Sequence, residues 1–276
     1  MERGVTRSAE KRRRRRRLFL GAFALLLVVV VILAVLYVVG VGPKEPALKP
    51  TFMERCEAFK GYECEDVWNA FQLGYVGKDP CGVTHEAYDP LMVGVPFRST
   101  CNRLMFWSKT KDVVHNFTKE SSCYVTVEET LLGSVLDGLT WCGKEGSNET
   151  FTTGCPGWTD CENNPVRSFW NRVSADFADS ACGDVAAMLN GSIATPFHPD
   201  SVFASNEVKR FHFPRVKRLQ VVLVSQENSA TNCTNASLKN LQKELDPKIS
   251  YECREVTEAD LHDCSARPKE FCGNCW

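Results

Sequence analysis

The longest apolar stretch of the chain runs from Leu18 to Pro43, contains no charged residue and is rich in Leu, Val, Ala and Ile. A helix needs about 20 apolar residues to cross the hydrocarbon core of a bilayer, so this stretch is long enough. The apolar core of a cleaved signal peptide is the alternative, but it usually spans about 7–15 residues and ends at a small-residue cleavage site. We therefore predict a transmembrane helix over 18–42, preceded by a basic tail at 1–17 and followed by a stalk at 43–51.

Two segments beyond the stalk have apolar residues at the three- and four-residue steps of an amphipathic helix. In the first, Val67, Trp68 and Phe71 follow this spacing, and a Gly-containing segment ends the pattern. In the second, Thr126 stands three residues before Glu129 and an apolar run follows, which is the pattern of a capping box. We predict a helix in each segment.

The clearest helix pattern begins at Pro165, because proline suits the first turn and either Asn163 or Asn164 can serve as the cap. The apolar positions of this segment recur at three- and four-residue steps: Trp170, Val173, Phe177 and Ala181. We therefore predict a long helix here.

Strand patterns look different and become more frequent after Cys101. The short apolar runs RLMFW (103–107) and LQVVLV (219–224) are typical of buried strands, whereas DVAAMLNGS (184–192) fits a helix or a strand. This mixture of helices and strands predicts an α/β or α+β fold. The roughly 225 residues after the stalk suffice for one large domain or two small ones.

Charge is distributed unevenly along the chain. Residues 1–17 hold nine Lys or Arg and two Glu, so their net charge is +7, whereas the net charge of the whole chain is −1. A basic run of this kind can be a nucleic-acid patch, but its position directly before the apolar stretch favours a role in membrane topology. Basic residues stay on the cytoplasmic side of a membrane, so we predict a single-pass, type II protein whose C-terminal part is extracellular.

Cysteines and glycosylation motifs agree with that topology. The chain has fourteen cysteines, all beyond the apolar stretch, and their even number in an oxidising compartment predicts a disulfide framework. A Cys-x-x-Cys at 272–275 can be redox-active, but a structural role is expected outside the cell. Five Asn-x-Ser/Thr motifs lie on the same side, and the last-but-one is the weakest because a cysteine follows it: Asn116, Asn148, Asn190, Asn232 and Asn235.

Several chemistries lack their sequence patterns. There is no Gly-x-Gly-x-x-Gly and no P-loop, so no standard phosphate cradle is expected. The five histidines are scattered without a His-x-x-x-His pair, so no metal site is expected. The chain also has no Gly-x-Ser-x-Gly elbow of a serine hydrolase. Aromatic residues and carboxylates remain as candidates for chemistry.

Five segments together resemble the ADP-ribosyl cyclase/cyclic ADP-ribose hydrolase family, and the similarity extends over most of residues 52–275. They are CNRLMFWSKTKD (101–112), TVEETLLGSVLDGLTWCG (126–143), CPGWTDCENNPVRSFWNRVSADFADSAC (155–182), MLNGS (188–192) and SVFASNEV (201–208). The resemblance implies a helical N-terminal lobe at about 52–100 and 126–181. It also implies a C-terminal lobe, at about 101–125 and 182–276, with a small parallel sheet in which DVAAML is a strand. The active site would lie in the cleft between the lobes.

The resemblance assigns roles to nine residues. It makes Glu207 the catalytic carboxylate and places Trp107 and Trp170 on either side of the substrate. Glu128 and Asp137 match the acidic pair at the nicotinamide end. Positions near the ribose and phosphates are matched by Ser174, Ser201, Phe203 and Lys109. The chain departs from the family where Val202 replaces a familiar Thr and Lys109 replaces a familiar Arg, which loses a bidentate fork.

These residue types suit cleavage of the nicotinamide–ribose bond of NAD. Nicotinamide leaves as a neutral ring, so no general acid is needed, unlike in ordinary glycosidases that use two carboxylates. Glu207 would stabilise the oxocarbenium-like ribose or capture it covalently. Water would then give ADP-ribose, and the adenine of the substrate would give cyclic ADP-ribose. An indole face attracts a pyridinium cation by about 0.5–2 kcal/mol.

Each assignment has a structural alternative. Without the resemblance, Glu207 is a solvated loop carboxylate, and Trp107 and Trp170 are core residues. Glu128 is then a charge that complements a helix dipole, and Asp137 a turn residue.

The resemblance also implies a disulfide pattern: Cys56–Cys64, Cys81–Cys161, Cys101–Cys182, Cys142–Cys155, Cys233–Cys253 and Cys264–Cys272. Cys123 and Cys275 are left over, and we hypothesise that they form a seventh disulfide. The alternative is that one or both are free thiols or link two chains.

The function implied is that of a plasma-membrane NAD glycohydrolase and ADP-ribosyl cyclase that also hydrolyses cyclic ADP-ribose, a calcium-signalling messenger. NAD, NADP (by base exchange) and cyclic ADP-ribose are the expected partners, with NAD as substrate and no cofactor, metal or nucleic acid. A homo-oligomeric state stays open. The alternatives are a receptor ectodomain without catalysis and a transferase that passes ADP-ribose to protein.

Overall fold

The computed structural model of the chain describes residues 48–98, 100–121, 123–225, 231–265 and 275–276. The predicted basic tail and membrane span lie outside these residues. Within the described ranges, no helix has the length and apolar character needed to cross a membrane. The first described helix begins at Leu48, within the range predicted as a stalk (43–51), and buries Leu48 and Phe52 on one face.

The helices of the described residues are α1 (Leu48–Glu57), α2 (Cys64–Leu73), α3 (Asp89–Gly94), α4 (Lys111–Ser121), α5 (Leu131–Leu136), α6 (Pro165–Asp179), α7 (Ala236–Glu244) and α8 (Glu258–Ser265). The strands are β1 (Met105–Ser108), β2 (Cys142–Lys144), β3 (Ser147–Phe151), β4 (Gly183–Asn190), β5 (Val216–Ser225) and β6 (Ser250–Thr257). The mixed α/β class is therefore confirmed.

A four-stranded parallel sheet in the order β1-β4-β5-β6 organises the C-terminal half, and β2 and β3 form a separate antiparallel pair. β1 and β5 confirm the two strands predicted from apolar runs, and β4 confirms the strand implied by the resemblance. One continuous apolar core includes residues of both predicted lobes, such as Phe71 and Val221. The division into two lobes stays a prediction.

The predicted helices form where local signals and packing agree. α2 ends before Gly74, where a side chain would collide with the ring of Tyr88, since an added Cβ would lie 2.3 Å from Tyr88 Cε1. α6 begins as predicted, with Asn164 accepting a hydrogen bond from the backbone N–H of Arg167 and Pro165 in the first turn. This cap fixes the start of the helix that carries Trp170.

The capping box of Thr126 and Glu129 is present, and it caps a short 3₁₀ turn, Val127–Glu129. Thr130 then caps the short helix α5. The turn packs so tightly on α5 that an added Cβ on Gly133 would lie 1.9 Å from the carbonyl oxygen of Val127. This close contact holds the segment that carries Glu128.

Five predicted disulfides are present: Cys56–Cys64, Cys81–Cys161, Cys101–Cys182, Cys142–Cys155 and Cys233–Cys253. The predicted pairs Cys264–Cys272 and Cys123–Cys275 are wrong, because Cys264 is bonded to Cys275. The neighbouring Trp276 packs on Phe117 and Tyr124, at ring-centroid distances of 5.4 and 5.7 Å, which holds the chain end beside α4. Cys123 is disulfide-bonded too, so neither leftover cysteine is a free thiol.

Candidate active site

A cavity of about 520 Å³ opens where the carboxyl end of β1 meets the 127–129 turn and α6. Its volume lies in the range of sites that bind small molecules. Its position beyond the carboxyl end of a parallel strand is also where ligands of open α/β sheets bind. Eight of the nine predicted site residues line it: Trp107, Lys109, Glu128, Asp137, Trp170, Ser174, Ser201 and Glu207.

Glu207 ends a π-helical turn, Phe203–Glu207, and is 95% buried, with only 5% of its surface exposed. Single π turns of this kind occur frequently at functional sites. Burial raises the pKa of Glu207 to about 8, although the Ser174 hydroxyl opposes this by hydrogen bonding and the charge of Glu128 adds to it. The carboxylate is therefore held in the cavity wall with little to neutralise it, and it is not a solvated loop charge.

The assignment of Phe203 to the substrate is the exception among the nine, because its side chain is 1% exposed and does not line the cavity. Its ring packs on Phe106, Phe197 and Phe211, at centroid distances of 6.3, 6.0 and 6.5 Å. A large apolar side chain at this position gains more from the core than from a polar cavity. Phe203 thus anchors the turn that carries Glu207.

Trp107 and Glu128 both line the cavity and contact each other directly. The indole Nε1 of Trp107 donates to Glu128 Oε2 at 3.2 Å, and the Glu128 side chain is only 9% exposed. This contact fixes the plane of the indole at the end of β1. One face of the cavity therefore carries an acid and an aromatic ring that orient each other.

Trp170 and Ser174 lie one helical turn apart on α6 and both line the cavity, as their spacing predicts. The Trp170 indole packs edge-on against Phe169, at a centroid distance of 5.3 Å and an interplanar angle of 76°. Phe169 itself is fully buried. The second tryptophan is thus held by the core while part of its ring remains at the cavity.

Asp137 caps the carboxyl end of α5 and accepts a hydrogen bond from Lys111 Nζ at 2.7 Å. The guanidinium of Arg55 donates to the backbone carbonyls of Ser134 and Asp137, at 3.1 and 2.7 Å, and so complements the same helix end. Asp137 is therefore an ion-paired carboxylate, in contrast to Glu207.

Ser201 and Lys109 lie at the polar edge of the cavity. The Ser201 hydroxyl donates to the carbonyl of His198 at 2.7 Å and accepts from the backbone N–H of Ala204 at 3.2 Å. Lys109 adopts a left-handed backbone conformation, with φ of 60°, and its carbonyl accepts from Asn190 Nδ2 at 3.0 Å. This unusual conformation of a non-glycine residue directs the chain from β1 into α4.

Three further residues contribute to the site without having been singled out in the sequence. Trp158 lines the cavity and is 43% exposed, on a loop between Cys155 and Cys161 that two disulfides secure. Lys111 lines it through its ion pair with Asp137. The third, His115, lies behind Glu128. The close spacing of the two cysteines was the signal that could have drawn attention to Trp158.

The Nε2 atom of His115 lies 3.4 Å from Glu128 Oε2, and the imidazole meets the Trp107 ring edge-on at a centroid distance of 5.9 Å. Contact with Glu128 raises the pKa of His115, and burial partly opposes this. No cluster of three or more His, Cys, Asp or Glu side chains able to hold a metal occurs in the part of the chain that the structure describes.

Comparison with known proteins gives consistent matches. The model of the ADP-ribosyl cyclase family matches residues 45–273. The ADP-ribosyl cyclase/cyclic ADP-ribose hydrolase 1 of Rattus norvegicus is 36% identical over 197 residues, which cover 70% of this chain and 65% of the rat protein. The chain thus spans slightly less than two thirds of that relative's length.

Two solved structures share the fold. Porcine CD38, complexed with a covalent intermediate, ribo-F-ribose-5'-phosphate, is 33% identical with a TM-score of 0.72, covering 77% of this chain and 97% of that one. Aplysia cyclase, complexed with the substrate NGD and the product cGDPR, is 27% identical with a TM-score of 0.71, covering 82% and 95%.

Proposed function

The chain belongs to the ADP-ribosyl cyclase family, and from that premise we propose that it cleaves the nicotinamide–ribose bond of NAD to give ADP-ribose and cyclic ADP-ribose. The observation that carries the proposal is the buried carboxylate of Glu207 in a cavity lined by Trp107 and Trp170. A buried acid with a strongly raised pKa in a cleft is the typical sign of a working group rather than a structural one.

The substrate itself supplies the charge that this carboxylate lacks. The nicotinamide of NAD is a pyridinium cation, and an indole face attracts such a cation. A cation beside Glu207 favours its ionised form, so binding lowers the pKa of the acid that catalysis requires as an anion. Binding of a cationic substrate thus increases the ionised fraction of this carboxylate.

Bond cleavage then needs one acid. As the bond lengthens, positive charge moves from the nicotinamide to the ribose, and Glu207 stabilises it by charge or by covalent capture at the anomeric carbon. The departing nicotinamide is neutral and takes no proton. The covalent intermediate in the porcine relative supports capture by the corresponding chemistry in this chain.

The second step decides the product. Water attacking the anomeric carbon gives ADP-ribose, whereas attack by the adenine of a folded substrate gives cyclic ADP-ribose. Glu128, which also lines the cavity, would orient water and favour the linear product. By the reverse route, the same carboxylate and water would open cyclic ADP-ribose, and a nicotinamide analogue in place of water would give base exchange on NADP.

We also propose that this chemistry takes place on the extracellular side of the plasma membrane. The support is the apolar stretch at 18–42 behind a basic tail, together with six disulfides among the described residues. Protease digestion of intact cells that express the chain should remove the cysteine-rich part. Survival of that part until the membrane is opened would contradict the proposed orientation.

Glycosylation should be uneven across the five motifs. Asn116 and Asn148 are exposed, whereas the side-chain amides of Asn190 and Asn235 donate hydrogen bonds to backbone carbonyls at 3.0 and 3.1 Å. We expect Asn116 and Asn148 to carry glycans, whereas Asn232 is exposed too but is followed by Cys233. Glycopeptide mapping checks this, and unmodified Asn116 and Asn148 would refute it.

The activity is tested by incubating the purified full-length chain with NAD alone. The proposal predicts free nicotinamide with soluble ADP-ribose and a cyclic product, and no labelled protein. No turnover would indicate a receptor that keeps the fold, and turnover only with a protein acceptor would indicate a transferase. Glu207→Gln serves as the matched variant because it keeps the shape of the side chain and removes its charge.

A further inference from the structure

His115 lies behind the cavity wall rather than in it. It sits on α4, four residues after Lys111, and its imidazole stands between the helix and the Glu128 carboxylate. Glu128 Oε2 is the atom that also accepts the Trp107 indole N–H, so one carboxylate oxygen faces two ring nitrogens, at 3.2 and 3.4 Å. His115 touches both groups on this wall without contacting the cavity.

The hydrogen-bonding state of this imidazole is incomplete. Its Nε2 atom is buried and makes no well-directed hydrogen bond among the described residues, although the nearest acceptor is Glu128. Buried polar groups are normally paired, and the exceptions call for an explanation. A small rotation or the gain of a proton on the ring would complete a charge-assisted bond to the carboxylate, which is about twice as strong as a neutral one.

Charges from three elements act on the imidazole. Glu128 of the 3₁₀ turn and Asp137 after α5 favour its protonated form, while Lys111 of its own helix opposes it. The net effect raises the pKa of His115 above the ordinary histidine value of 6.5. The imidazole therefore keeps its positive charge to a higher pH than an ordinary histidine does.

We propose that His115 is a positioning residue that pins the Glu128 carboxylate, and through it the Trp107 indole, and so sets the ratio of linear to cyclic product. This inference rests on the proposed function. When the imidazole is charged, it holds Glu128 in the orientation that directs water. When the imidazole is neutral, Glu128 is held mainly by its contact with Trp107. Attack by adenine then increases relative to attack by water.

Two variants separate charge from contact. His115→Gln keeps an N–H donor near the place of Nε2 but cannot become charged. His115→Phe keeps a ring against Trp107 but loses the donor as well. His85→Gln is the matched control, because His85 is exposed, pairs with its neighbour Glu86 and does not line the cavity.

The first measurement is the initial ratio of cyclic to linear product from NAD, across neutral pH, with total nicotinamide release recorded in parallel. In the unmodified chain and in the His85→Gln control, the cyclic fraction should rise as the pH increases. In His115→Gln the cyclic fraction should not depend on pH, and it should equal the value that the unmodified chain reaches at high pH. In His115→Phe the ratio of cyclic to linear product should be about two- to tenfold higher than in the unmodified chain at the same pH, as expected for the loss of one typical hydrogen bond. An unchanged pH dependence in His115→Gln would overturn the inference while nicotinamide release continued.

The second measurement does not depend on activity. Imidazole NMR titration of the full-length chain, with the His115 signal assigned from its absence in His115→Gln, should show a lower midpoint in Glu128→Gln than in the unmodified chain. An unmoved midpoint would overturn the proposed pairing even if NAD were turned over normally. Absence of nicotinamide release in the unmodified chain, with a shifted midpoint, would instead refute the proposed function and keep the pairing.

Discussion

Two tryptophans, Trp141 and Trp107, illustrate how differently the chain uses the same side chain. Trp141 is fully buried, and its Nε1 donates to the hydroxyl of Tyr88 at 3.0 Å, which in turn donates to the carbonyl of Pro165 at 3.0 Å. Trp107 is partly exposed to a cavity, and its Nε1 donates to the carboxylate of Glu128 at 3.2 Å. The first network is neutral, closed and complete, whereas the second ends on a charge.

The contrast extends to the surroundings of each ring. Trp141 packs edge-on against Phe71 and Phe169, at 5.2 and 5.5 Å, in the apolar core. The cavity instead is lined by two acids, Glu128 and Glu207, and the charge of Glu128 raises the cost of ionising Glu207. The cavity residues thus lower the stability of the folded state, and the packing of the core around Trp141 compensates for that loss.

The largest expected effect is on catalysis at Glu207. Glu207→Gln should reduce nicotinamide release from NAD at least about 10³-fold, because the neutral amide can neither stabilise nor capture the ribose cation. Circular dichroism should show the same folded structure. Retention of more than about a tenth of the activity would contradict the assigned role, since removing one key electrostatic group typically costs far more.

The same substitution should stabilise the protein. A folded-state pKa of about 8 against an ordinary 4.5 means that the native state binds the Glu207 proton more tightly than the unfolded chain does. Stability is therefore lost as the pH rises from about 4.5 to about 8. Glu207→Gln should remove this loss and raise the free energy of unfolding at pH 7 by on the order of 3 kcal/mol.

Urea unfolding at a series of pH values measures that gain, which should vanish in acid. Glu244→Gln provides the control, since it removes an exposed carboxylate that does not line the cavity. A Glu207→Gln variant that is less stable than the unmodified chain at neutral pH would show that the carboxylate is stabilised in the fold.

A smaller effect separates the two tryptophans. Trp141→Phe should lower the free energy of unfolding by about 2 kcal/mol, through lost volume and a lost partner for Tyr88. Its kcat/KM per folded molecule should stay unchanged. Trp107→Phe should change stability by less than about 1 kcal/mol but lower kcat/KM for NAD about tenfold. Equal effects of the two variants on both quantities would remove the distinction between core and cavity.

Sequence reasoning succeeded where the signal was local. The cap and first-turn proline of α6 sit beside each other in the chain, and the apolar run of β5 is fully buried over Val221–Val224, so pattern and structure agree. At the 127–129 turn the capping box was predicted correctly. The predicted helix begins only after this turn, as α5, because the turn packs on α5 through Gly133.

The site depends on contacts that no local pattern encodes. Glu207 was identified only through resemblance, since its burial results from Phe203 packing on Phe106, which lies about a hundred residues earlier. The same packing places Phe203 in the core rather than at the cavity surface, and its assignment to the substrate stays a prediction. His115 was passed over because histidines scattered in sequence reveal nothing about a carboxylate that folding brings within 3.4 Å.

The central claim is that one carboxylate, Glu207, suffices because the departing nicotinamide needs no proton. The pH dependence of kcat/KM for NAD tests this most directly, because it reports the ionisations of the free enzyme. The account predicts a single ascending limb that levels off near pH 8, the pKa at which the buried acid ionises, and no descending limb above it. A bell-shaped profile whose alkaline limb disappears in Glu128→Gln would show that a second carboxylic acid donates a proton, and would contradict the account.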